Sequence, residues 1–177
     1  PSDDQKPGCG FPLVRMVGAF CLKTGALLEE TSAPYAISEN ELFHDLWPTF
    51  CPGDILVADR NFCSYGSLAV LQLLYQTDGL FHLHASRNSD FRKGRRLGPR
   101  DRLVTWNKPT QKPANLSQAE WEQLPATLTV RMVRVRITTP NSRCRTITLV
   151  TTLTDAKLWP VQLLAALYLR LWKIELY

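Results

Sequence analysis

The chain has 177 residues, 45% of them hydrophobic, with a formal net charge of +5. That length predicts one domain with room for an insertion, and no apolar run approaches the ~18 residues of a membrane span, so no membrane partner is expected. No signal-peptide pattern is present, and the five cysteines, Cys9, Cys21, Cys51, Cys63 and Cys144, form no CxxC pair, which disfavours zinc and predicts reduced thiols in a cytoplasmic protein.

Phe11–Leu22 and Ala26–Thr31 read as two strands joined by a tight turn at Lys23-Thr24-Gly25. Ser38-x-x-Glu41 is a capping box that opens a helix over Glu39–Trp47, and Pro48 stops it. Cys51-Pro52-Gly53 turns the chain into a strand over Asp54–Asp59. Ser64 caps a second helix over Tyr65–Tyr75, Asp78-Gly79 ends it, and Leu80–Ala85 is another strand. The order so far is β-β-α-β-α-β, an α/β core over residues 1–86.

From Arg87 the character changes. Residues 1–86 carry 4 Lys/Arg and 10 Asp/Glu, a net of −6, whereas residues 87–177 carry 17 and 6, a net of +11. This division predicts a face for a polyanion; the plainer alternative is a solvated charged surface. Strands are expected at Arg102–Trp106, Thr127–Ile137 and Arg145–Leu153, with a hairpin turn at Pro140-Asn141-Ser142 between the last two. In Met132-Val-Arg-Val-Arg-Ile137 the alternation slips at Met132-Val133, which predicts a bulge. Ser117-x-x-Glu120 caps a short helical turn. Residues 87–150 thus read as a basic, β-rich insertion, and residues 151–177 as the approach to a final helix that Pro160 opens at its first position. Its apolar stripe is Leu163 or Leu164, Leu167, Leu171 and Ile174.

Two carboxylates stand out. Asp59 ends the apolar run Ile55-Leu-Val-Ala58, which reads as a central strand covered on both faces. A charge beside that core costs several kcal/mol in order of magnitude unless it is paired or holds a metal. Arg60 is an adjacent partner for it. Glu175 lies on the last helix, where Tyr168 falls within about 20° of it and Trp172 about 60° to one side; the plainer reading makes those aromatics core filler. A strand-end Asp and a helix Glu look like two ligands of a metal-dependent phosphoryl-transfer site. Arg92, Lys93, Arg95, Arg96, Arg100 and Arg102, with Arg134 and Arg136 on the cationic face of their strand, are placed to track a DNA backbone. His82-x-His84 puts two imidazoles on one strand face, where no third metal ligand is evident and packing or hydrogen bonding is the expectation.

Ala58-Asp59-Arg60-Asn61-Phe62, followed by Tyr168-x3-Trp172-x-Ile174-Glu175, resembles the two C-terminal signature boxes of bacterial insertion-sequence DDE transposases. The similar group is the one named for its Tyr-Arg-Glu-Lys signature, insertion sequence family four. The resemblance implies an RNase H-like α/β fold, a mixed sheet flanked by helices, with a β-rich insertion before the last helix. It implies DNA strand cleavage and transfer by two divalent metals, Mg²⁺ or Mn²⁺, held by two Asp and one Glu. Asp59 is then the second Asp and Glu175 the Glu, with Arg60, Tyr168, Arg170 and Trp172 as signature or DNA-contacting residues. The implied partners are transposon ends and target DNA, with self-association on DNA, in a nucleoid-associated protein of the bacterial cytoplasm.

The chain departs from the pattern in three ways. No Asp-Gly box for the first Asp occurs, which places that Asp upstream of Pro1 and makes these 177 residues a fragment expected to be inactive alone. The family's Arg position is occupied by Leu171, with Arg170 displaced to about 140° from Glu175 around the helix. The signature Lys falls beyond Tyr177. Asn61, where Gly is frequent, tolerates a left-handed turn. A non-catalytic DNA-binding remnant of a decayed element and an RNase H-like metal-dependent nuclease are the alternative readings.

Overall fold

The computed structural model of the protein describes residues 13–84, 91, 93–137 and 145–174. Strands β1 (Val14–Phe20) and β2 (Leu27–Pro34) form an antiparallel hairpin. Its turn uses Gly25 at φ +75°, a conformation that favours glycine, and Cys21 N–H donates to the Ala26 carbonyl at 2.8 Å. Helix α1 (Glu39–Asp45) begins with the expected capping box: Ser38 Oγ accepts from Glu41 N–H, and Glu41 Oε2 accepts from Ser38 N–H at 2.9 Å. It ends before Trp47. Pro48 lacks the N–H that an α-turn needs there, so Trp47–Thr49 tightens into a short 3₁₀ turn.

Strand β3 (Ile55–Ala58), helix α2 (Tyr65–Leu74) and strand β4 (Asp78–His82) make a β-α-β unit whose strands pair in parallel, Ile55 with Asp78 through Ala58 with Phe81. Ser64 caps α2, accepting from Ser67 N–H at 2.9 Å. Gly79 lets α2 approach β4 closely, since a Cβ there would meet a Leu68 methyl at 2.6 Å. Further on come β5 (Arg95–Gly98), β6 (Asp101–Asn107), α3 (Gln118–Gln123), β7 (Thr127–Ile137), β8 (Arg145–Thr151) and α4 (Val161–Ile174).

The main sheet is mixed and six-stranded, in the order β3-β4-β8-β7-β6-β5, with helices on its faces. The strands of the 87–150 stretch do not form a sheet of their own. β8 pairs antiparallel with β4, Leu80 opposite Thr151, and carries the rest of the sheet with it. Strand β5, absent from the sequence expectation, is a charged edge strand whose Arg-Arg-Leu-Gly has no alternation to read. The turn at Pro140-Asn141-Ser142 lies outside the described residues, though β7 and β8 pair as a hairpin requires, Ile137 opposite Arg145.

Three expectations are corrected. β3 is an edge strand and not a central one; among the described residues its only strand neighbour is β4. Its apolar run reflects covered faces: Ala58 joins the cluster under α1 and α2, and Val57 joins the cluster under α4. Hydrophobicity reports face burial and is silent about edge pairing. Next, β7 has no bulge at Met132-Val133, where its register with β6 and β8 is unbroken. The slip marks a change in which face is covered. Leu128, Val130 and Met132 pack into the α2-side cluster, and Val133, Val135 and Ile137 into the α4-side cluster. Finally, α4 starts at Val161, with the Pro160 carbonyl accepting from Leu163 and Leu164 N–H. Its buried line runs through Leu164 and Tyr168, both fully buried, while Leu163 is exposed.

Arg131 fastens the start of α4. Its guanidinium is fully buried, pairs bidentately with Asp101 (Nε to Oδ1 2.9 Å, Nη2 to Oδ2 2.7 Å) and donates from Nη1 to the Trp159 carbonyl at 2.6 Å. No helix among the described residues is long and apolar enough to cross a membrane.

Candidate functional site

Asp59 leaves the end of β3 and opens a turn in which Phe62 N–H donates back to its carbonyl at 3.2 Å. The turn needs no left-handed residue. Asn61 has a negative φ, and its amide instead donates to Glu39 at 3.3 Å. By strand alternation Asp59 continues the face of Val57, the face that α4 covers. Its carboxylate is 45% exposed, and among the described residues its Oδ1 meets His82 Nδ1 at 3.7 Å and the Tyr168 hydroxyl, which donates at 3.5 Å.

Arg60 is not the partner of Asp59. It is exposed, and the ion pairs among the described residues are His44–Glu120, His82–Asp59 and Arg131–Asp101. The pairing register explains the substitution. Ala58 lies opposite Phe81, so the next residues, Asp59 and His82, leave adjacent strands side by side. Burial depresses the His82 pKa most; Asp59 opposes this, and the positive charges of Arg60 and His84 add to it. His82 is therefore a residue of this site; the sequence points to packing or hydrogen bonding for it without naming Asp59 as the partner. The available signal was two consecutive strands of a β-α-β unit ending in Asp59 and His82, but register is not legible without the pairing.

Tyr168 is both core filler and site residue. It is fully buried, its ring meets His82 edge-on at 6.0 Å between centroids, and its hydroxyl reaches Asp59. Arg170, Leu171 and Asp59 line one cavity of about 460 Å³, walled by β1, β3 and α4. Glu175 and the side chain of Trp172 lie outside the described residues, which contain no group of three His, Cys, Asp or Glu side chains able to hold a metal.

The basic residues sort by register. Arg96 lies opposite Arg102, Arg102 opposite Met132, Met132 opposite Val150 and Val150 opposite Phe81, so these share a sheet face. Arg134 and Arg136 alternate with Met132 onto the same face, at the same sheet end as Asp59, whereas Arg95 points to the other. Arg102 and Arg134 stack on the Phe91 ring at 5.8 and 4.3 Å. Lys93, Arg95, Arg96 and Arg100 are exposed; Arg92 lies outside the described residues. Lys108 is committed to structure: it donates to the Leu124 carbonyl at 3.0 Å and sits over Trp121. Beside the basic strands a polar cleft of about 1050 Å³ is lined by Asn40, Asn61, Lys93, Trp106, Asn107 and Asn115.

A search against protein-family models finds no match to this chain, and a search of curated proteins finds none either.

Proposed function

We propose that the chain is the catalytic region of a DDE transposase with an RNase H-like core, cleaving and joining DNA strands through Mg²⁺ or Mn²⁺ bound by Asp59 and Glu175. One observation carries the reading: Tyr168 of α4 approaches Asp59 at the end of β3. Helix α4, described as far as Ile174, thus crosses the end of the strand that leads into Asp59; the reading continues it by one residue to Glu175. In this reading the first Asp comes from a further strand. Among the described residues β3 pairs with β4 alone, and β1 and β3 both line the 460 Å³ cavity, so a strand added at the other edge of β3 would end beside Asp59. The carboxylates would hold hard, water-bearing cations that bind substrate phosphate. Arg96, Arg134 and Arg136, and the polar cleft, would receive the DNA. With DNA as its partner, the protein would work in the bacterial cytoplasm, on the nucleoid.

DNA binding without catalysis is the second reading. It is favoured by Leu171, which packs half-buried in the α4-side cluster where the signature calls for a cation. The test is strand transfer by the full-length protein on supercoiled plasmid with its transposon ends. Metal-dependent joining of a DNA 3′-OH to target supports the transposase. Nicking without joining selects the nuclease, and salt-sensitive binding without either selects the remnant.

A further inference from the structure

His82 and Asp59 are held as two ligands of one cation would be. They extend from neighbouring parallel strands on one face, fixed by the Ala58–Phe81 register. Their facing atoms are 3.7 Å apart, longer than the roughly 2.7–3.2 Å of a direct hydrogen bond. Two ligands at about 2.1 Å from one ion stand roughly 3.0–3.4 Å apart at octahedral or tetrahedral angles, so a shift of a few tenths of an ångström admits the ion. The imidazole is more enclosed, with its side chain 19% exposed against 45% for the carboxylate. The open side therefore remains for water and phosphate. Tyr168 touches both groups, its ring packed at a steep angle to His82 and its hydroxyl donating to Asp59 Oδ1. Such an outer contact orients a ligating group.

We propose that His82 donates its ring nitrogen to the same divalent cation as Asp59, so that the centre favours Mn²⁺ over Mg²⁺. The inference rests on the metal-dependent reading of Asp59 and adds a ligand to it. Mg²⁺ takes oxygen ligands, whereas a nitrogen donor shifts preference toward transition-metal ions. His84, next on the same strand side, is the other imidazole that must be distinguished.

The test is Mn²⁺ binding to the protein, followed by the EPR signal of free Mn²⁺, with electron spin-echo modulation reporting ¹⁴N bound to the metal. The expected result is nitrogen modulation in the wild type that His82→Gln abolishes and His84→Gln leaves. His82→Gln should also weaken Mn²⁺ about tenfold or more while moving Mg²⁺ competition little, and Asp59→Asn should remove binding. His82→Asn stands in if the Gln variant loses its fold by circular dichroism. Modulation that survives both His82 variants, or that follows His84, overturns the inference; if Asp59→Asn still abolishes binding, the carboxylate reading stands. Mn²⁺ affinity unaffected by Asp59→Asn, or no binding at millimolar Mn²⁺, overturns both.

Discussion

Replacing Asp101 with Ala strips the counter-charge from Arg131 while leaving the guanidinium where it is. Arg131 is fully buried and Asp101 is 3% exposed, so water cannot replace the carboxylate. Breaking a buried pair in this way costs about 3–5 kcal/mol. At about 2–4 °C per kcal/mol for a chain of this size, melting should fall by roughly 6–20 °C. Removing both charges tells the cause apart. Asp101→Leu with Arg131→Met leaves no orphaned charge, only the Trp159 carbonyl without its donor, about 1–3 kcal/mol. The assay is urea unfolding followed by circular dichroism, where an unchanged slope with a shifted midpoint reports stability alone. Equal loss in the single and double variants would refute the reasoning, because the cost would then lie in lost contacts. A loss below about 1 kcal/mol in Asp101→Ala would refute it as well.

Tyr168→Phe keeps the packed ring and should leave stability within about 1 kcal/mol, whereas Tyr168→Ala should cost about 3–5 kcal/mol by thermal denaturation; equal costs would deny that packing dominates. Reversing Arg96, Arg134 or Arg136 to Glu should weaken binding to duplex DNA and lower the log–log salt slope by nearly one unit per contact, measured by fluorescence anisotropy, while Lys23→Glu should do neither. Burial raises the Glu120 pKa, but hydrogen bonds from Ser117 and the His44 contact outweigh it, so the net shift is downward from 4.5. The stability this contributes is therefore present above about pH 4.5 and lost as pH falls through the lower folded value. Glu120→Gln should flatten that part of the acid limb in a stability–pH profile, and an unchanged limb would count against it.

How much of this was legible in the sequence follows from what each signal reports. Capping boxes at Ser38 and Ser117 are local chemistry, and both form as read. Alternation marked β7 as a strand, but the hidden variable was which face each half presents, so Met132-Val133 resembled a bulge. The run Ile55–Ala58 reports buried faces, which a central and an edge strand share, because nothing local encodes whether a neighbour pairs. Arg60 adjoins Asp59 in sequence yet makes no ion pair with it, and the groups at the Asp59 carboxylate come from β4 and α4. Tyr168 lies on the buried line of α4, one turn on from Leu164, and the face it is expected to share with Glu175 lies outside the described residues. His82 needed the register of a parallel pair, which is a long-range property. Glu175, on which the metal reading depends equally, lies outside the described residues.

The most direct measurement is Mg²⁺-dependent nicking of supercoiled plasmid by the full-length protein and its Asp59→Asn and Glu175→Gln variants, each of which removes a charge while keeping shape. The account predicts metal-dependent nicking in the wild type and its abolition in both variants, with DNA affinity retained. A Glu175→Gln protein that nicks as fast as the wild type would contradict it.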